Sequence, residues 1–365
     1  MHKMKTGNTQ GEGRLASLDA LRGLDMSLII GLEGVILALA RQFPGSEAWQ
    51  NAAWHMGHAA WQGLRVYDMI FPLFVFIAGI AMGLSMQKGR SEGRNWWQQL
   101  LKLWKRALIL VVLGWLVNGA LSWDVGSMRF ASVLGLISIS CAAAGSMALA
   151  VRSTVWRAVA AAGLLLIVWS LQFFGGDMTP AGCINARLDQ LYLPGVLHYE
   201  VLDPEGLLCL VSATALALGG MVCGGIMAQV QNPWRRLSIM AGTGVLLIVG
   251  GLYCGPIIKN IWSTGFTVSM AGWGFIIMAA MHLVVDVWGL TKWAFPLRII
   301  GMNALFIYLA THIISFNALT ARVFSGTIRC LVPEGWGGVA HATAYLLLAW
   351  GLCYLLYQRR IFIKI

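Results

Sequence analysis

Long apolar runs separated by short polar segments dominate the chain, and a helix needs about 20 apolar residues to cross a bilayer. With that ruler the pattern predicts ten spans, at 22–40, 66–87, 99–121, 130–150, 154–174, 205–227, 237–256, 264–285, 297–317 and 338–357. The predicted class is an all-α, polytopic membrane helix bundle with about ten transmembrane helices, in which a short segment over 1–21 precedes a single transmembrane domain over 22–365. Small-residue pairs such as Gly79 with Gly83 and Gly220 with Gly224 have the spacing of close helix contacts, but any bundle offers such pairs. No internal repeat is evident, which weighs against an inverted-repeat transporter.

Composition agrees with the pattern: 11 % of residues are charged, against about 25 % in soluble domains. The net charge of +11 does not imply nucleic acid, because Lys and Arg sit in short clusters between apolar runs rather than on one face. Of the 26 Lys and Arg, 19 fall on the side of the predicted bundle that holds both termini, which makes that side cytoplasmic. The first twenty residues are polar and run directly into a full-length span, so no cleavable leader is expected. The seven cysteines form no CxxC pair, and no metal site is expected. Cys183 and Cys330 fall in two loops assigned to the outside, which allows a disulfide between them. Trp54, Trp61, Trp96 and Trp97 read as interfacial anchors.

Candidate chemistry lies with ionisable residues where lipid would otherwise be. The stretch from His58 to Gly79, HAAWQGLRVYDMIFPLFVFIAG, places a histidine and an aspartate at the entrance of an apolar span. Charges there must face protein or water, so His58 and Asp68 are candidate site residues; the plainer alternative makes Asp68 a helix cap and His58 a loop residue. Glu33 lies eleven residues beyond Arg22, about 16 Å along a helix, which puts it near the midplane. Glu205 opens the sixth span. Asn303 and His312, nine residues apart, can share a face of the ninth about 13 Å apart in height. For His282 and His341 interhelical hydrogen bonding is the better account, and Asp19 with Arg22 reads as a local ion pair. The loop at about 175–204 holds Asp177, Asp189, Glu200 and Asp203 against Arg187, which suits either a cationic ligand or a merely solvated loop.

No GxSxG elbow, HExxH motif or cysteine beside a histidine is present, and the HxxxD spacing at His282 and Asp286 lacks the rest of its signature. What remains is an imidazole on the outward side, with carboxylates and amides converging on a polar interior and cations on the inner face. Imidazole near pH 7 removes a proton from an ammonium or carries an acyl group, so the pattern fits acyl transfer across the membrane with His58 in that role. An anionic cytoplasmic donor such as acetyl-CoA would meet Arg22, Lys105 and Arg106, although each also serves simply to orient the chain.

The blocks RLASLDALRG, HAAWQGLRVYDMIFPLFVFIAG, DPEGLL, KNIWSTGF and GMNALFIYLATHI resemble, in order and spacing, the heparan-alpha-glucosaminide N-acetyltransferase family, from about Arg14 to the end. The resemblance implies a membrane-helix bundle that moves acetyl from cytosolic acetyl-CoA to a glucosamine-like amino sugar on the far side. It implies His58 as the active histidine, followed by Trp61 and Asp68 before a Phe-rich span. Glu33, Glu205, Asn303, His312 and Trp61 would line the acceptor and thioester region. The lysosomal members carry an N-terminal luminal domain and span without counterpart here, and an asparagine where this sequence has Glu33. A bacterial member in the cytoplasmic (inner) membrane, its acceptor side periplasmic, fits these differences, with the lipid bilayer as surroundings and a homodimer allowed. A proton-coupled transporter of an amino sugar or other cation, using the same residues as a relay, is the rival, and an O-acyltransferase of cell-surface polysaccharide a third.

Overall fold

The computed structural model describes residues 15–120 and 126–363. The chain is a multi-pass membrane protein built of helices. Among the described residues, eight helices are long and apolar enough to cross a membrane, nine if one bent pair forms a single span. The first span runs Ala16–Gln42 but is broken: α1 (Ala16–Ser27) and α2 (Glu33–Gln42) are joined by a π turn over Leu28–Leu32. Gly31 sits there at φ 144°, a backbone only glycine adopts readily, and a side chain at this position would collide with the Tyr345 ring. A short α3 (Glu47–His55) precedes α4 (Val66–Ser91), α5 (Trp96–Val117), α6 (Val133–Ala150) and α7 (Thr154–Phe174). After α8 (Ile184–Tyr192) come α9 (Leu207–Gln229), α10 (Pro233–Tyr253) and α11 (Thr264–Met281), the last prolonged by a π segment, His282–Val287. The chain closes with α12 (Phe295–Met302), α13 (Ala304–Ile313), α14 (Phe316–Leu331) and α15 (Gly337–Gln358).

Three expectations change. α5, the counterpart of the span expected over 99–121, carries Lys102, Lys105 and Arg106 in its first half, and its expected end at 121 lies outside the described residues. The span expected over 297–317 is broken into α12 and α13, bent by 72°, with Asn303 at the break. Asn303 donates to the Ile361 carbonyl and accepts from the Ile363 amide, so its amide holds the C-terminal tail. It therefore does not share a helix face with His312 near the midplane. The disulfide allowed between Cys183 and Cys330 is not formed: Cys183 is buried with its thiol 3.6 Å from the Pro180 carbonyl, whereas Cys330 is exposed on α14. As expected, His282 and His341 bond between helices, His282 to Arg236 of α10 and His341 to Asn317, while His282 also pairs with Asp286 one turn along its own segment.

Among the described residues three clusters of buried apolar side chains pack separately, the smallest of them, around Ala186, Leu202 and Ile261, under the connections. The largest joins α4, α9 and α11 with the first turns of α1 and part of α6 around Phe76, Leu216, Met221 and Phe275. The second joins Met26 and Ile30 to α12, α13 and α15. α4 and α9 meet through the glycines noted in the sequence: Gly79 lies against Ala217, Gly83 against Met221, Gly220 against the Phe76 carbonyl and Gly224 against Ile80. In lipid, where burial of apolar surface gives no drive for helix association, such backbone approach supplies the packing. A β-carbon at Gly220 would lie 2.1 Å from the Phe76 backbone oxygen. Gly220→Ala is therefore expected to force α4 and α9 apart and lower the apparent Tm in detergent, whereas Gly250→Ala, with nothing within 4 Å, leaves it nearly unchanged.

Candidate active site

The site begins with a buried carboxylate. Asp68, in the first turn of α4, is 1 % exposed and is wrapped by the preceding loop: one oxygen accepts from the amides of Ala59 and Arg65, both at 3.1 Å. The capping account of Asp68 is thus partly right, but its other oxygen faces chemistry. It lies 2.7 Å from His58 Nδ1 and 3.2 Å from Lys259 Nζ. The His58 ring is half exposed at 51 % and lies 5.1 Å from the Tyr67 ring.

Lys259 arrives from the connection between α10 and α11. An antiparallel bridge between Gln62 and Ile258 and a Gly63 N–H to Ile257 carbonyl bond of 2.9 Å bind that connection to the loop bearing His58. A short 3₁₀ turn, Lys259–Ile261, ends on Trp262 at φ 45°, a region a bulky residue enters only when its surroundings compel it. Here the buried Trp262 ring is clamped edge-on by Phe71 and Phe266, and its carbonyl accepts from Ser212. Burial lowers the Lys259 ammonium pKa, against the pull of Asp68. Its Nζ is 2.9 Å from His58 Nδ1.

A second cluster adjoins the first. Arg129 grips Asp203 with two bonds, Nε at 2.7 Å and Nη2 at 2.6 Å, and also pairs with Glu205. Asp203 and Glu205 are 0 % and 8 % exposed in their side chains. Burial works to raise Asp203, but the Arg129 pair and the Glu205 amide hold it below the usual aspartate value. Burial raises Glu205, Arg129 opposing and Asp203 reinforcing the rise. His198, whose amide donates to Asp203, is lowered by burial and then by Arg129, with His58 and Lys259 adding to the effect. Glu205 in turn acts on Lys259 and Tyr199.

The predicted residues divide accordingly. His58 and Asp68 are together. Glu33, expected near the midplane, interacts electrostatically with the Tyr67 phenol, whose ring lies beside that of His58. Glu205 belongs to the Arg129 cluster. Trp61 donates to the Met178 carbonyl at 2.8 Å, which pins the loop before α4 to the one after α7. His312 is exposed and donates to the Tyr308 carbonyl. Of the candidate donor-side cations, Lys105 and Arg106 are exposed on α5, as a polyphosphate would require, whereas Arg22 is turned to Asp19 at 3.2 Å. The acids of the loop divide: Asp189 is buried, accepts from the amides of Asp203 and Leu207 and thereby caps α9, and Asp203 is buried too, whereas Asp177, bonded to Thr179, and Glu200 are exposed as a solvated loop would have them. Lys259, Tyr67, Arg129 and His198 were not singled out. Lys259 lies inside the KNIWSTGF block and Tyr67 directly precedes Asp68, so adjacency was the available signal; nothing local marks Arg129.

Residues 14–180 match a family described as a domain of unknown function, DUF5009. Over 371 aligned residues the sequence is 24 % identical to heparan-alpha-glucosaminide N-acetyltransferase of Homo sapiens, covering 82 % of this chain and 53 % of the relative. The Mus musculus protein of the same name gives 24 % identity, 82 % and 54 %. The chain is similar to an acetyltransferase. It spans about half the length of the curated relatives it matches, and the resemblance read in the sequence blocks is borne out at that level.

Arg129→Met would leave two buried carboxylates without their cation, and breaking such a pair costs about 3 kcal/mol. Because Asp203 is held below its usual pKa, its contribution is present above the unfolded-state value and lost as the pH falls through the folded one. The Tm deficit of Arg129→Met relative to the unaltered protein is thus expected to be full at pH 7 and to shrink below about pH 4, measured by thermal unfolding across pH.

Proposed function

We propose that the protein is a transmembrane N-acetyltransferase that moves acetyl from acetyl-CoA, bound at the end bearing both termini, to the amine of a glucosamine-like amino sugar at the mouth. The observation that carries this reading is the half-exposed His58 imidazole held on a buried Asp68; the similarity to the N-acetyltransferases supports it. On this reading the termini face the cytoplasm and the mouth faces the periplasm of a bacterial inner membrane. Lys105 and Arg106 hold the donor's phosphates and Asn303 steadies the end of the bundle where they lie. Glu33, Glu205, Trp61 and His312 surround the acceptor side.

Asp68 accepts the Nδ1–H of His58 and thereby leaves Nε2 with its lone pair on the exposed edge of the ring. Nε2 then removes a proton from the acceptor ammonium, or itself attacks the thioester carbonyl and carries acetyl. In the direct route the freed amine adds to the thioester carbonyl as the carbon–sulfur bond breaks, the proton taken by Nε2 passes to the departing thiolate, and the second proton leaves the new amide nitrogen for solvent through His58. In the carrier route Nε2 adds to the carbonyl as the carbon–sulfur bond breaks and the thiolate takes a proton from solvent; the acceptor amine, its first proton lost to solvent, then attacks the acetyl carbon as the bond to Nε2 breaks, and the amide nitrogen's remaining proton passes to Nε2 and on to solvent. Asp68 stabilises the cationic ring in the meantime, as a carboxylate does for a catalytic histidine. The glutamates suit an acceptor that arrives as an ammonium.

Purified protein mixed with acetyl-CoA and glucosamine is expected to release free thiol, followed with a thiol-reactive dye. His58→Ala should slow release at least 100-fold, the order of magnitude general-base catalysis contributes. Turnover that survives that change intact would remove His58 from the chemistry, and an absence of thiol release with uptake of amino sugar into vesicles would favour the transporter.

A further inference from the structure

Nδ1 of His58, Oδ1 of Asp68 and Nζ of Lys259 form a triangle with sides of 2.7, 2.9 and 3.2 Å. An ammonium only donates, and a carboxylate only accepts. If Lys259 donates to Nδ1, the ring's hydrogen is on Nε2, which can then neither take a proton nor attack a carbonyl. If instead Nδ1–H is given to Asp68, Nε2 keeps its lone pair, and the ammonium bonds to the carboxylate while lying 3.5 Å from Nε2, against a ring that is about to become cationic. Asp68 and Lys259 therefore compete for one nitrogen.

Resting on the acetyl-transfer reading, we propose that Lys259 is a positioning residue that acts through His58: its ammonium, in contact with the ring, opposes the imidazolium and makes an acetylated ring short-lived. The groups facing this pair are few and known. From α4 they are Asp68 and the Tyr67 phenol, on which Glu33 acts electrostatically. From the segment between α7 and α9 they are His198, Tyr199 and Glu205, which interact electrostatically with members of the triangle. Arg65 turns its guanidinium over the Trp54 ring at 4.4 Å and gives Asp68 only its amide. Among the described residues, Lys259 is thus the cation in hydrogen-bond contact with His58, and with its side chain 17 % exposed its charge is little screened by solvent.

Removal of that charge is expected to move the protonation of His58 to higher pH, by about one unit or more for unit charges some 3 Å apart in water-like screening. Diethyl pyrocarbonate, which modifies only unprotonated imidazole, reads this without turnover: the rate of modification of the His58 peptide is followed by mass spectrometry against pH in detergent-solubilised full-length protein. In Lys259→Met the midpoint should rise by that amount, and in Lys259→Arg, which keeps the charge, it should return toward that of the unaltered protein. In parallel, Lys259→Met should lose thiol release at pH 7 and regain it as the pH is raised, which a merely disrupted fold would not do. An unchanged midpoint in Lys259→Met, or a Lys259→Arg protein that behaves like the Met variant, overturns the proposal. A shifted midpoint in a protein that releases no thiol under any condition retires the acetyl-transfer reading and leaves the coupling of Lys259 to His58 in place.

Discussion

A carboxylate buried at the mouth of a membrane bundle must be fully hydrogen-bonded or not charged, and Asp68 meets that requirement with four donors. Two are amides of the loop that leads into α4, one is an imidazole and one an ammonium. Satisfying this single group fixes the loop from residues 57 to 65, orients the His58 ring and draws in the connection between α10 and α11. The left-handed Trp262 is the counterpart on the other side: its ring is locked among Phe71 and Phe266, and that lock aims Lys259.

The neighbouring cluster obeys the same rule. Arg129 is held by two carboxylates, Asp203 also accepts from the amides of His198 and Glu205, and Asp189 receives the Asp203 amide in turn. The long connection between α7 and α9 is therefore a cap built on buried acids. Its charges are spent largely on its own backbone, which explains why an acidic composition there does not translate into an open cation site. Glu205 is the member that communicates with Lys259, so the two clusters share one electrostatic environment.

Much of the architecture was legible because the bilayer imposes it: an apolar run of sufficient length has few alternatives to a helix. The pair of His58 and Asp68 was legible for the same reason, since charges at such an entrance need partners. What escaped detection depends on contacts across the chain. Lys259 is 201 residues from His58, and Arg129 is 74 from Asp203; no spacing rule relates them. The ninth expected span is broken at Asn303, whose amide is satisfied by the C-terminal backbone rather than by neighbours within a continuous helix. Arg22, Lys105 and Arg106 count alike in a charge tally, but Arg22 is turned to Asp19, the local ion pair that their spacing predicts.

The winding defect at Gly31 joins two blocks of the protein. Below it, Leu18 and Leu21 are set into the block built on α4, α9 and α11; at its margin, Met26 and Ile30 are set into the one built on α12, α13 and α15. Glu33 comes immediately after the defect and acts electrostatically on Tyr67, whose ring lies 5.1 Å from that of His58. On the proposed reading, a sliding of one block against the other would thus be felt, through a single glutamate and a single phenol, beside the imidazole.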